Sequence, residues 1–191
     1  MQILSSHACQ LRIVLADSEP QIWRRILVPA DVTLSQLHEI LQQVMGWQNL
    51  HDYVFQLGSG AAKSPCNPQA LLREVGAIAT DQPIYYSYDS RSGWLHRIDI
   101  ETVDIKTTSI ENVAVSTRQS LPVCVGGALA CPPEGSGGVW GYEELLIRLE
   151  DSEDPEYIDL IEKYGDFDPY AFEVAQVNAR LEKETFSQQA D

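Results

Sequence analysis

The order in which hydrophobic periods change along the chain constrains its fold more than any other feature. Before about residue 120 the apolar positions read as strands broken by one long helix, and beyond residue 142 they repeat at helical spacing. "CQLRIVLAD" places Leu11, Ile13 and Leu15 on one parity. "QIWRRILVP" places Ile22, Arg24, Ile26 and Val28 on one parity and Trp23, Arg25 and Leu27 on the other. Joined by the turn-forming "DSEP", the two segments predict an antiparallel hairpin. An arginine on each face places the second strand near a sheet edge or partly in solvent.

The interrupting helix is "TLSQLHEILQQVMGW", in which Leu34, Leu37, Ile40, Leu41, Val44 and Met45 build one apolar stripe. Thr33 and Gln36 have capping-box spacing, and Gly46 suits a left-handed stop. "HDYVFQLG" then reads as a strand, so hairpin, helix and strand form a β-grasp-like opening. Residues 58–83 connect onward with a short helix over Gln69–Val75. "IYYSYD" and "WLHRIDIETVD" are strands around an "SRSG" turn, and a last short strand is expected from Val113 to Ser116. Residues 121–141 read as a loop. Helices follow over 142–183, in "GYEELLIRLED", in "DPEYIDLIEKYG" with Asp154 as N-cap, Pro155 in first position and Gly165 as stop, and in "DPYAFEVAQVNARLEKE" after Asp168 and Pro169. Residues 186–191 read as a frayed tail. The expectation is an α+β fold in one domain over 1–185: a mostly antiparallel sheet in a strand-rich part, 8–120, then a layer of short helices.

Charge separates along the same line. Of 28 acidic residues, 16 lie from Glu134 onward, where only Arg148, Lys163, Arg180 and Lys183 oppose them, leaving −12 of the total −15 in that segment. Such a surface repels phosphate backbones, which disfavours nucleic acid as a partner outside a local patch at Arg24 and Arg25. No apolar run approaches a membrane span, and the start lacks the basic and apolar blocks of an export signal. Four cysteines without an export signal point to free thiols or metal ligation in a cytoplasmic protein.

Several segments, in order, carry a family resemblance: "IWRRILVPADVTLSQLHEILQQVMGW", "LHDYVF", "YSYD…WLHRI", "C…ACPPEGSGGVWGYEEL" and "GDFDPYAFEVAQVN". Together, from about Ile22 to Leu181, they resemble the plasmid pRiA4b ORF-3-like family, some members of which are labelled passenger proteins of insertion elements. The resemblance implies a fold and no reaction. It also suggests a nucleic-acid accessory role tied to mobile elements, which the acidic balance opposes. Two positions depart from the family pattern. "SRS", Ser90–Ser92, stands where relatives carry Phe-Gly-Asp, and Ser136 stands where many carry a cysteine, so an acid and a thiolate are both missing.

The motif positions retained are His51, Asp89, His96, Cys124, Cys131 and Glu134. His51, His96, Cys124 and Cys131 are donor types that suit zinc, with Asp89 or Glu134 as supporting partner or catalytic base. The six-residue gap between the cysteines exceeds the usual knuckle spacing. Each residue also has a structural reading: buried thiols for Cys124 and Cys131, backbone bonding for His51 and His96, and turn formation for Asp89. Pro132 and Pro133 fix two φ angles and present Glu134 on a stiff strut. Tyr85, Tyr86, Tyr88 and Trp94 lack interleaved lysines and read as sheet core. Nucleophile-elbow, phosphate-loop, dinucleotide and zinc-protease motifs are absent from the sequence. The expected function is a noncatalytic module contacting another protein, with no cofactor required. A metal-binding protein or metal-dependent enzyme, with zinc as its ion, is the alternative.

Overall fold

The computed structural model describes residues 8–58, 63–79, 82–103 and 121–187. Along them run β1 (Ala8–Leu15), β2 (Trp23–Pro29), α1 (Leu34–Met45), β3 (Tyr53–Leu57), β4 (Ser64–Pro65), α2 (Leu72–Ile78), β5 (Ile84–Tyr88), β6 (Trp94–Val103), β7 (Val123–Ala128), α3 (Gly138–Glu150), α4 (Tyr157–Tyr164) and α5 (Val174–Ser187). The strands form one sheet in the order β4-β3-β5-β6-β1-β2-β7, with every neighbouring pair antiparallel. The chain is therefore α+β, with the hairpin, helix and strand in the expected succession. In the sheet, β3 lies apart from the hairpin, with β5 and β6 between them.

Side-chain alternation assigns the two faces of this sheet. Leu11, Ile13 and Leu15 of β1, Ile26 and Val28 of β2, Tyr86 and Tyr88 of β5, and Trp94, His96 and Ile98 of β6 are all buried. The α1 stripe packs here through Leu34, Leu37, Leu41, Val44 and Met45, and α5 adds Val177 and Leu181. The opposite face is polar, with Arg25 gripping Glu101 through two bonds of 2.7 Å and Arg97 on Asp99 at 3.0 Å. Helix α1 begins with the expected capping box: Thr33 Oγ1 accepts from the Gln36 amide at 3.1 Å, and Gln36 Oε1 accepts from the Thr33 amide at 2.9 Å. It stops at Gly46 with φ +81.

Several expectations change. β2 lies near a sheet edge as expected, but the first part of the presumed loop, Val123–Ala128, is a strand that pairs along its outer side as β7. Arg24 is accordingly only 3% exposed. Its donors reach the carbonyls of Trp23, Ala128 and Leu129 at 2.7–2.9 Å, and its guanidinium stacks on Phe172 at 4.4 Å. The short helix starts at Leu72 instead of Gln69, since Asn67 closes a turn on the Gln69 and Ala70 amides. Both Asp-Pro pairs make side-chain turns ahead of their helices. Asp154 accepts from the Glu156 amide at 2.8 Å, Asp168 from the Tyr170 amide at 2.9 Å, and α4 and α5 begin at Tyr157 and Val174. Gly165 ends α4 in a right-handed conformation. The strand expected at Val113–Ser116 and the last residues of the tail, 188–191, lie outside the described residues; α5 carries the chain through Phe186 to Ser187.

Candidate functional site

After its glycine stop, α1 leads into Trp47–His51, and this segment meets both the proline-rich strut and the β5–β6 turn. Trp47 is buried, stacks on Tyr88 (5.1 Å, 17°), and donates from Nε1 to the Pro132 carbonyl at 3.0 Å. Glu134 closes the other side. One carboxylate oxygen accepts from the Gln48 amide at 2.8 Å and the other from the Tyr88 hydroxyl, which itself accepts from the Leu50 amide at 2.9 Å. Burial, followed by the hydrogen bond to Glu134, pushes the Tyr88 hydroxyl up to about 12. The carboxylate expected on a stiff strut is thus engaged on both oxygens within the protein.

His51 stands half-exposed beside this junction, with Nε2 3.8 Å from Asp89 Oδ2 and its ring edge-on to Tyr88. Asp89 has φ +52, uncommon for a residue with a side chain. Its side chain supports that conformation by accepting from the Arg91 amide at 3.1 Å, while its carbonyl accepts from the Gly93 amide at 2.7 Å. Burial raises its pKa, but hydrogen bonds from the Ser92 side chain and the Arg91 amide outweigh that and hold the carboxyl below its ordinary range. The turn also packs on α3, because a Cβ at Gly138 would collide with the Ser92 carbonyl oxygen.

The other candidates lie deeper. His96 is fully buried on β6, with Nδ1 3.3 Å from the Tyr86 carbonyl and its ring edge-on to Trp47, while Nε2 has no hydrogen-bond partner among the described residues. Desolvation lowers its pKa to about 4, so the ring is neutral at physiological pH. Cys124 is buried on β7, and its backbone is paired by the Asn178 side chain of α5, N to Oδ1 at 2.7 Å and O to Nδ2 at 3.0 Å. Cys131 Sγ accepts from Arg24 Nη2 at 3.1 Å and lies 3.4 Å from Met45 Sδ. Burial pushes both thiols up. Arg24 and Arg180 act electrostatically on both sulfurs, an environment that opposes a cation.

The six motif residues therefore occupy separate settings: His51 with Asp89, Glu134 with Tyr88, His96 under Trp47, and the two cysteines beside arginines. Among the described residues no group of three or more His, Cys, Asp and Glu side chains is placed to hold a metal ion. Sequence reasoning missed a polar network on the buried face of α1. His38 Nδ1 and Gln42 Nε2 both reach the Tyr86 hydroxyl, at 2.8 and 2.9 Å, and His38 Nε2 meets Asn49 Oδ1 at 2.7 Å. Positions 38 and 42 are one turn apart among the apolar positions, which was the available signal.

A family profile described as "Plasmid pRiA4b ORF-3-like protein" matches residues 7–176. The chain belongs to the plasmid pRiA4b ORF-3-like family. Among similar proteins is "Uncharacterized protein y4hQ" of Sinorhizobium fredii, 32% identical over 184 residues that cover 91% of this chain and 90% of that protein. Among solved structures, "Crystal Structure of Protein of Unknown Function MM3350 from Methanosarcina mazei Go1" aligns with a TM-score of 0.74 at 31% identity, over 88% of this chain and 96% of that one. The Methanosarcina mazei structure shares the α+β fold of this pRiA4b ORF-3-like chain, and neither relative brings an assigned reaction.

Proposed function

We propose that this pRiA4b ORF-3-like chain is a noncatalytic, cytoplasmic protein-interaction module whose contact face is the α3–α4 layer. The observation that carries the reading is Trp140, which stands 82% exposed on the first turn of α3. Ile147, two turns along the same face, is also exposed, and α4 contributes Ile158 at 77%. Covering any one of these side chains is worth about 2 kcal/mol, a gain the isolated chain leaves unused. Exposed apolar side chains ringed by charge are characteristic of contact surfaces. The motif carboxylates support the reading from the other side, since Glu134 and Asp89 spend their polar groups on internal bonds. The four free cysteines suit a reducing compartment. Among the described residues no helix is long and apolar enough to cross a membrane.

The test is in-cell photo-crosslinking from a photoreactive residue at position 140, with position 97 on the polar sheet face as control. The expected result is a discrete adduct from position 140, lost when Ile147→Ser is added, and none from position 97. Equal labelling from both positions, or none from position 140, would refute the proposed contact face.

A further inference from the structure

We infer that the groove between α3 and α4 takes a basic amphipathic helix of a partner protein. The inference rests on the interaction reading above and assigns the chemistry of the partner. The groove has a volume of about 330 Å³. Leu145, Leu160 and Tyr164 supply its apolar lining, and Glu144, Glu156 and Asp159 supply acidic walls. Its two cations are already engaged: Arg148 holds Asp154 at 2.8 Å and Glu156 at 2.7 Å, and Lys163 lies over the Tyr164 ring at 4.7 Å.

Charge selects the occupant. From Gly138 to Gly165 the sequence carries nine acids against two bases, a net −7. A second copy would bring −7 against −7, and an anionic lipid surface or a nucleic-acid backbone would meet the same repulsion. A helix with lysine or arginine on one face and leucine-like residues on the other satisfies both observations: its cations meet Glu144 and Asp159, and its apolar face covers Leu145, Leu160 and Tyr164 and reaches Trp140, the neighbour of Gly141 in the groove wall. At 13 residues, α3 is about 20 Å long, so a partner helix of three to four turns spans it.

The test titrates the full chain with a fluorescently labelled amphipathic peptide of about 18 leucine and lysine residues, read by anisotropy. The expected result is saturable one-to-one binding with a micromolar Kd, weakened at least about tenfold between about 50 and 300 mM salt. Trp140→Ser, and separately Glu144→Gln with Asp159→Asn, should each weaken it about tenfold. Leu50→Ser, an exposed apolar change outside the groove, should leave it unchanged. Circular dichroism confirms that each variant remains folded.

Absence of binding, equal binding of the peptide with glutamate in place of lysine, or insensitivity to the groove variants would each overturn the inference. So would a concentration-dependent dimer that Trp140→Ser abolishes, because the face would then belong to a second copy. A discrete crosslink from position 140 without lysine-peptide binding rejects the basic helix and leaves the interaction reading standing. Failure of both removes both.

Discussion

Glu134 joins two segments far apart in sequence, since the Gln48 amide lies 86 positions away and the Tyr88 hydroxyl 46. A charge-assisted bond of this kind contributes about 1.5–3 kcal/mol when partly shielded from water. Glu134→Gln and Tyr88→Phe should each lower stability in urea unfolding, and their double-mutant cycle should show about 1–2 kcal/mol of coupling. A coupling near zero would mean that the carboxylate does not tie the strut to Tyr88. His96 gives a second residue-level prediction. Its folded pKa is about 4 against an ordinary 6.5. Above pH 6.5 both states are neutral, and from there down to pH 4 only the unfolded chain takes the proton. Stability should therefore fall across that window, by about 3 kcal/mol from this ring. Burial also lowers the pKa of His38, so that ring contributes in the same direction. Comparing urea midpoints of wild type and His96→Gln between pH 7 and 4.5 isolates the His96 share; parallel curves would show that this ring does not titrate as described.

At the scale of elements, α5 closes the outer edge of β7. The Asn178 amide presents a donor and an acceptor to the Cys124 backbone in place of another strand. Asn178→Ala leaves both Cys124 groups without that partner and should cost about 1–3 kcal/mol, with faster hydrogen exchange at the Cys124 amide as the specific readout. Gly138→Ala should also destabilise, because φ is +78 and the Ser92 carbonyl fills the space a Cβ needs. These two contacts also show what the sequence could reveal. The α1 stripe and its capping box were legible because they are set by spacing within one helix. β7 was not legible, because "VCVGGA" has little alternating side-chain pattern: Gly126 lies under Trp23 and Gly127 under Phe172, both contributed by other elements. The Asp-Pro starts were misplaced for a related reason, since an aspartate that can cap a helix can equally close a turn on the amide two residues later. For the candidate site, the residue types were visible, but their separation into distinct settings depends on strand order and was not.

Across the whole molecule, a polar sheet face lies opposite a core-facing side covered by α1 and α5, while α3 and α4 carry an acidic surface with exposed apolar side chains. This division explains why the motif residues are engaged internally and why Trp140, Ile147 and Ile158 are not. It also predicts that Trp140→Ser changes the unfolding free energy by less than about 0.5 kcal/mol, as expected for a surface position, even though the residue is a large aromatic; a loss of several kcal/mol would place it in the core. The central claim is that His51, His96, Cys124 and Cys131 build the fold without an ion. Elemental analysis of protein purified without chelator, paired with thermal unfolding before and after EDTA, tests it most directly. The account predicts zinc, iron and nickel well below one equivalent and an unchanged Tm. About one equivalent of metal, with a Tm that falls when it is removed, would contradict it, because ion binding would then be part of folding.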